Sequence, residues 1–336
     1  MSFDVFLLAV KTPGVIVGPI ANFLGIIYNF IFNFIHGFAE NGSLALAIIF
    51  FTLLVKIVLF PLSFHQQKST FKMQKLQPEM NKIKEKYAKK KDPESQQKMA
   101  MELQEFQKKN GINLFGGCLP LLIQLPILYA LYYIFQQAYI YLDIVNANYQ
   151  AITDVILSIP VEQRMDIFYA VAESKKITMD LAVNSDVMQL VSLISSGEWN
   201  TILASAGEFA NQLAPLLAQK MDIENFIGIN LVTKPGLTFP GIIIPLLSAG
   251  STFLQSKLMT SGQPKPDSND PMASSMKMMT YTMPIMMGVM TIGLPAGLGL
   301  YWTVSNCFQI IQQFVLNKYF KSKDKHEQEH KMIEEK

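Results

Sequence analysis

A single lysine, Lys56, lies inside an apolar run, residues 44–63, that carries no other charge. A lysine near the middle of a membrane helix costs about 2.5–3.5 kcal/mol on insertion scales, so it marks either a functional position or a snorkelling side chain. Lys56 precedes Leu62 by six residues, about 9 Å at ~1.5 Å per residue, which a lysine stem can span. On that helix alone both readings stand. Thr52 lies four residues earlier and shares its face. The other apolar runs carry Gln124 in 114–138, and Ser305, Asn306, Gln309, Gln312 and Gln313 in 297–316. Trp302, Asn306, Gln309 and Gln313 fall on one helical stripe. Inside a bilayer each polar group needs water or a partner. Taken together they suggest a shared polar cavity with one positive charge. For the glutamines alone, interhelical hydrogen bonding is the simpler reading. No carboxylate lies within these runs to pair with Lys56, which favours water beside it.

Other chemistry is weakly supported. There is no nucleophile–base pair, phosphate loop or metal-ligand cluster. His326 and His330 are spaced i,i+4, but in a highly charged tail that is a poor metal site. The runs contain no acid or histidine for proton-coupled transport. No enzyme activity, catalytic residue, cofactor or metal is expected. Met276, Met279, Met283, Met287 and Met290 repeat at three and four. Adaptable packing explains such a stripe best, and a face that accepts many apolar helices is the alternative.

The elements that must hold these residues follow from patterning. Half of the 336 residues are hydrophobic and 16% are charged. The apolar residues come in long blocks, which predicts an all-α polytopic membrane protein. Residues 1–43 contain an apolar stretch, 14–38, in which Asn22, Asn29, Asn33 and His36 share one stripe. An interfacial helix fits it better than a spanning one. Spans are expected at 44–63, 114–138, 237–258, 275–293 and 297–316. The last two are parted by Leu294-Pro295-Ala296-Gly297, and Tyr129, Tyr132, Tyr133 and Tyr139 crowd one end of the second. Residues 64–112 hold twelve lysines and six acids, net +6, on two amphipathic helices. Asp92-Pro93 starts the second helix, Asn110-Gly111 stops it, and Pro78 is placed to kink or divide the first. Residues 139–236 have eleven acids and five basic residues, net −6, in short amphipathic groups. These groups either pack on one another or rest on the membrane surface. A loop, 259–274, and a charged tail, 317–336, complete the chain.

Positive charge favours the cytoplasm. The hairpin and the basic start of the tail (Lys318, Lys321, Lys323, Lys325) are therefore expected inside, and the acidic stretch outside. Five spans satisfy this with the N-terminus outside. Six would place it in the cytoplasm, and that alternative stays open.

Three stretches carry a family resemblance: LALAIIFFTLLVKIVLFPLSFHQQKSTFKMQKLQPEMNKIKEKY at 44–87, NGINLFGGCLPLLIQLPILYALYY at 110–133, and 279–320 with GLYWTVSN inside it. In combination they resemble the YidC/Oxa/Alb membrane protein insertases of the short Gram-positive form. The likeness covers about two thirds of the chain. It is weak across roughly 142–222, which looks like an insertion, and resumes at FIGINL (226–231). It implies a bacterial cell-membrane protein with five spans, an outer interfacial helix and a cytoplasmic hairpin. A hydrophilic groove, open to cytoplasm and lipid, would pass substrate helices into the bilayer. The groove's positive residue is usually arginine, and Lys56 stands at the matching position. Thr52, Gln124, Tyr301 and Trp302 match groove or substrate-contact positions, and Asn306 and Gln309 extend the polar stripe. The implied partners are nascent membrane proteins, membrane lipids, the Sec translocon and the ribosome, with no nucleic acid as a specific ligand. The competing classes are a small-solute channel or transporter and an assembly chaperone without insertion activity.

Overall fold

The computed structural model describes residues 14–87, 92–111, 119–175, 180–260 and 277–334. Residues 1–13, the start of the expected second span (114–118, with Cys118), most of the 259–274 loop, and Met276 fall outside them. The described chain is all-α apart from one two-stranded hairpin. Two compact units divide it: the described residues of Met1–Leu54, Leu125–Ser251 and Pro284–Val304, and those of Val55–Gln124, Thr252–Met283 and Ser305–Lys336.

The first unit begins with α1 (Gly14–His36) and the first part of α2 (Ser43–Val58). Ala21, Leu24, Tyr28, Phe32 and Ile35 recur at three and four on α1 and are buried. The Tyr28 ring meets Phe51 and Phe135 edge-on, at 5.4 and 5.6 Å between centroids. Phe23, Ile26, Phe30 and Phe34 cover another face and are exposed. The polar stripe lies beside these faces, and part of it has a structural task. Asn29 donates to the Asp143 carboxylate at 2.6 Å and accepts the Asp143 backbone N–H at 3.1 Å. It thereby satisfies an orphan donor at the start of α7 (Asp143–Ser158). A Cβ on Gly25 would stand 2.5 Å from the Tyr141 ring, so only glycine lets α1 approach α6 (Ala138–Tyr141) this closely. Among the described residues, α1 is the one helix that alone has the length and apolarity to cross a membrane. α2 meets that test only jointly with α3 (Phe60–Tyr87), across a break at Leu59.

The acidic stretch folds on itself. Following α5 (Leu119–Gln136), its helices are α6, α7, α8 (Val161–Ser174), α9 (Asn184–Leu193), α10 (Ser196–Ser205) and α11 (Ala210–Glu224). Tyr149, Ile152, Phe168, Val191, Trp199 and Leu213, from five of these helices, are buried together in this unit. Two local devices shape it. Ser195 and Glu198 form a capping box on α10. Arg164, the chain's one arginine, donates to the Leu157 carbonyl in the last turn of α7 at 3.0 Å. A buried cluster sits at the end of α11. Lys220 pairs with Glu224 at 2.6 Å, Tyr149 donates to Glu224, and the Asn230 amide donates to it at 2.8 Å. Strands β1 (Asn225–Phe226) and β2 (Ile229–Asn230) follow, pairing Asn225 with Asn230 and Phe226 with Ile229. The carbonyls of Leu231 and Thr233 then accept from Gly297 and Ala296 at 2.8 and 2.9 Å. Those are orphan donors at the start of α14 (Ala296–Glu334).

The second unit contains the basic hairpin. Asp92 caps α4 (Pro93–Lys109) by accepting from the Ser95 N–H at 2.8 Å, with Pro93 at the first position and Asn110 as C-cap. Lys86 and Tyr87 at the end of α3 reach Glu102 at 2.9 and 2.8 Å. α3 runs unbroken through Pro78, so that proline does not divide it. The charged tail is also ordered differently from a free segment. α14 continues for 39 residues, and its tail portion lies along α3. Phe64 and Phe71 stack near Phe320, the Gln67 amide donates to Asn317 at 3.3 Å, and Lys75 pairs with Asp324. Partners rise together in number, so the two helices run parallel. Along the π turn Met278–Thr282 and α13 (Met283–Ile292) the methionine stripe is mixed, as adaptable packing allows: Met287 is buried, Met283 and Met290 are half-buried and Met279 is exposed. Met278, Tyr281, Ile285 and Val289 also point outward.

Candidate functional site

Lys56 occupies the last turn of α2, in the second unit, and only 8% of it is exposed. None of the described residues forms a hydrogen bond or ion pair with it. Gln124 is half-buried in α5 of the same unit.

Asn306 and Gln309 are also in the second unit, and their amides face α12 (Ile243–Thr260). Asn306 donates to the Thr252 hydroxyl at 2.9 Å. Gln309 accepts from Gln255 at 2.6 Å and donates to Ser305 at 3.3 Å. In the first unit the same two helices meet through small residues. Ser248 donates to the Gly299 carbonyl at 3.2 Å and lies 3.4 Å from the Thr303 hydroxyl. A Cβ on Gly299 would stand 2.3 Å from Ile244, and one on Gly288 of α13 would stand 3.0 Å from Ala249. Small residues at such positions let membrane helices approach closely and hydrogen-bond.

The α12 half of this seam was absent from the sequence-derived set. Ser248, Thr252 and Gln255 recur at four and three residues on α12, with Ser256 four after Thr252, the same periodicity that marks the polar stripe of α14. Short hydroxyl side chains are common in apolar segments, and that hid the pattern. The remaining residues of the set lie in the first unit. Thr52 is fully buried and donates back to the Ile48 carbonyl at 2.6 Å. This satisfies its hydroxyl proton without a partner helix. Tyr301 is buried and Trp302 half-buried on α14.

Chemically, the second unit offers a buried cation with no described acid beside it and neutral amides engaged between helices. Such a charge attracts an anion or an acidic group at short range, where a low dielectric strengthens the interaction.

Comparison with known proteins accords with these features. The sequence model of the 60Kd inner membrane protein family matches residues 34–325. Membrane protein insertase YidC of Clostridium perfringens is 30% identical over 308 residues, 90% of this chain and 91% of that protein. Membrane protein insertase YidC of Enterococcus faecalis is 31% identical over 288 residues, 86% of this chain and 72% of its own. Membrane protein insertase MisCA of Bacillus subtilis is 29% identical over 276 residues, covering 82% and 71%. A match that runs from the end of α1 to the tail portion of α14, taking in Lys56 and both halves of the polar seam, leaves one conclusion: the chain belongs to the 60Kd inner membrane protein family.

Proposed function

We infer that the chain is a membrane protein insertase, moving helices of nascent membrane proteins from the cytoplasm into the lipid bilayer. Lys56 carries the mechanism. A buried charge with no described counter-ion stays protonated most readily beside water, so a hydrated recess at Lys56 is the simplest setting for it. The polar, often acidic, flank of an entering helix is attracted there. Each such flank then crosses a shorter apolar path, and the barrier to insertion falls with no covalent step. The apolar helix moves sideways into lipid, its natural solvent.

The five-span topology accompanies this reading, with spans at 44–63, 114–138, 237–258, 275–293 and 297–316. The acidic stretch lies outside, and the basic hairpin and tail lie in the cytoplasm, as the distribution of lysine asks. The hairpin meets the substrate on the cytoplasmic side. The test is rescue of growth in cells depleted of their own insertase. Lys56→Arg is expected to rescue, and Lys56→Ala and Lys56→Glu to fail despite normal amounts of protein in the membrane. Full rescue by Lys56→Glu removes the charge from the mechanism. Insertion of a single-span substrate into liposomes holding only this protein separates insertion from chaperoning after the event.

A further inference from the structure

The hairpin β1–β2 is closed by Ile227 and Gly228, both at positive φ, 53° and 76°. A two-residue loop with both central residues left-handed is a type I′ turn, which favours Asn-Gly and Asp-Gly. A β-branched residue there is an outlier, held in place only where its surroundings favour it. In water Ile227 would be doubly misplaced, because its conformation is strained and its side chain is 73% exposed. Two further apolar side chains lie nearby in the chain, in the loop leading to α12: Leu237 at 66% and Phe239 at 81% exposed. The turn and this loop touch, since a Cβ on Gly228 would stand 3.3 Å from the Pro240 ring.

Charge marks the same boundary. All eleven acids of 139–236 lie at or before Glu224, whereas 225–242 contains one charged residue, the cationic Lys234. Apolar exposure resumes on α12 at Leu246 and Leu247, 63% and 48% exposed. A surface that loses its acids, gains a lysine and runs into an outward-facing membrane helix is complementary to phospholipid: acyl chains below and anionic headgroups at its rim.

We propose that the Ile227–Gly228 turn and the Leu237–Phe239 loop form a lipid wedge that inserts Ile227, Leu237 and Phe239 into the bilayer at the head of α12. The wedge fixes the level at which α12 enters the membrane, and it rests the self-packed acidic helices on the bilayer through a neutral edge. It depends on the chain being a membrane protein but not on the insertase mechanism.

The test places a nitroxide at Ile227→Cys or Phe239→Cys, in a chain carrying Cys118→Ala and Cys307→Ser. The protein is reconstituted into vesicles of phosphatidylethanolamine and phosphatidylglycerol. Collision rates with oxygen, which concentrates in lipid, are compared with those of a water-soluble nickel chelate. Leu247→Cys reports a lipid-facing position and Glu208→Cys an aqueous one. The expected result is the Leu247 pattern at both wedge positions, with oxygen contact several-fold above the nickel chelate. Nickel access equal to that at Glu208 overturns the proposal. So does shielding from both reagents, which would mean that a second copy or another protein covers the turn. Growth rescue by the same cysteine variants reports separately on insertion, so failure of one reading does not carry the other with it.

Discussion

Lys220 and Lys56 are both more than nine-tenths buried, yet their surroundings differ completely. Lys220 has Glu224 at 2.6 Å and the Tyr149 ring 5.0 Å away, and Asn230 and Tyr149 also donate to that carboxylate. Among the described residues Lys56 has no such partner. A buried charge whose every neighbour is already engaged is part of the framework, because removing either member strands the other. One left open to whatever arrives is available for binding. The contrast separates two ways of burying a lysine: paired within the framework in the acidic helices and, on the function proposed above, held open for a substrate in α2.

Three outcomes would break or sharpen this contrast. The largest effect is expected at Lys56. Lys56→Glu should abolish growth rescue, while Lys56→Met should leave thermal stability in detergent unchanged or raised, since it removes a costly charge, breaks no described hydrogen bond or ion pair and keeps a similar apolar stem. A large loss of stability in Lys56→Met would make Lys56 a framework residue like Lys220. Next comes Lys220→Ala, which leaves Glu224 buried and unpaired. It should cost about 3–5 kcal/mol in denaturant unfolding. The double replacement Lys220→Met with Glu224→Leu should recover most of that loss, and failure to recover would assign the cluster a role beyond the pair. Smallest is Asn306→Ala on the polar seam. Hydrogen bonds between membrane helices average about 0.6 kcal/mol, so the expected loss is of that order. A double-mutant cycle with Thr252→Ala should return a coupling of the same order, because the two share a bond.

A milder titration belongs to the framework side. Burial raises the pKa of Glu198, but Lys175 and the backbone and hydroxyl of Ser195 outweigh it, holding the carboxyl below its ordinary value. A depressed folded pKa gives stability that is present above the unfolded pKa and lost as pH falls through the folded one. The α10 cap should therefore weaken on acidification, and Glu198→Gln should flatten that part of the stability profile.

Legibility in the sequence depended on how local each signal was. The start and stop of α4 were readable because capping needs only Asp92, Pro93, Asn110 and Gly111. The all-α class was readable from periodicity. What Asn29 does was not, since its partner, Asp143, lies 114 residues away. That the acidic groups pack on one another was not legible either, since the burial of Trp199, Phe168 and Tyr149 depends on tertiary structure. For the polar stripe, the α14 half stood out because asparagine and glutamine are conspicuous among apolar residues. The α12 half is built largely from serine and threonine, which bond either to their own helix or to a neighbour. Of the two outcomes open at Pro78, a kink or a division, the division is excluded by the continuous α3, because a proline's cost depends on what supports the helix around it, and α3 has α4 beside it.

The parallel pairing of α3 with the tail has a consequence for the order of assembly. Gln67 and Asn317 are 250 residues apart in the chain, and Lys75 and Asp324 are 249 apart. α3 emerges early in synthesis, with Phe64 and Phe71 lacking the aromatic partner they meet in the finished protein. The loop that must close is among the longest the chain allows, so entropy sets this contact late. Until it closes, the basic hairpin is anchored at one edge only, and it reaches its finished stiffness after nearly all the rest of the molecule has been made.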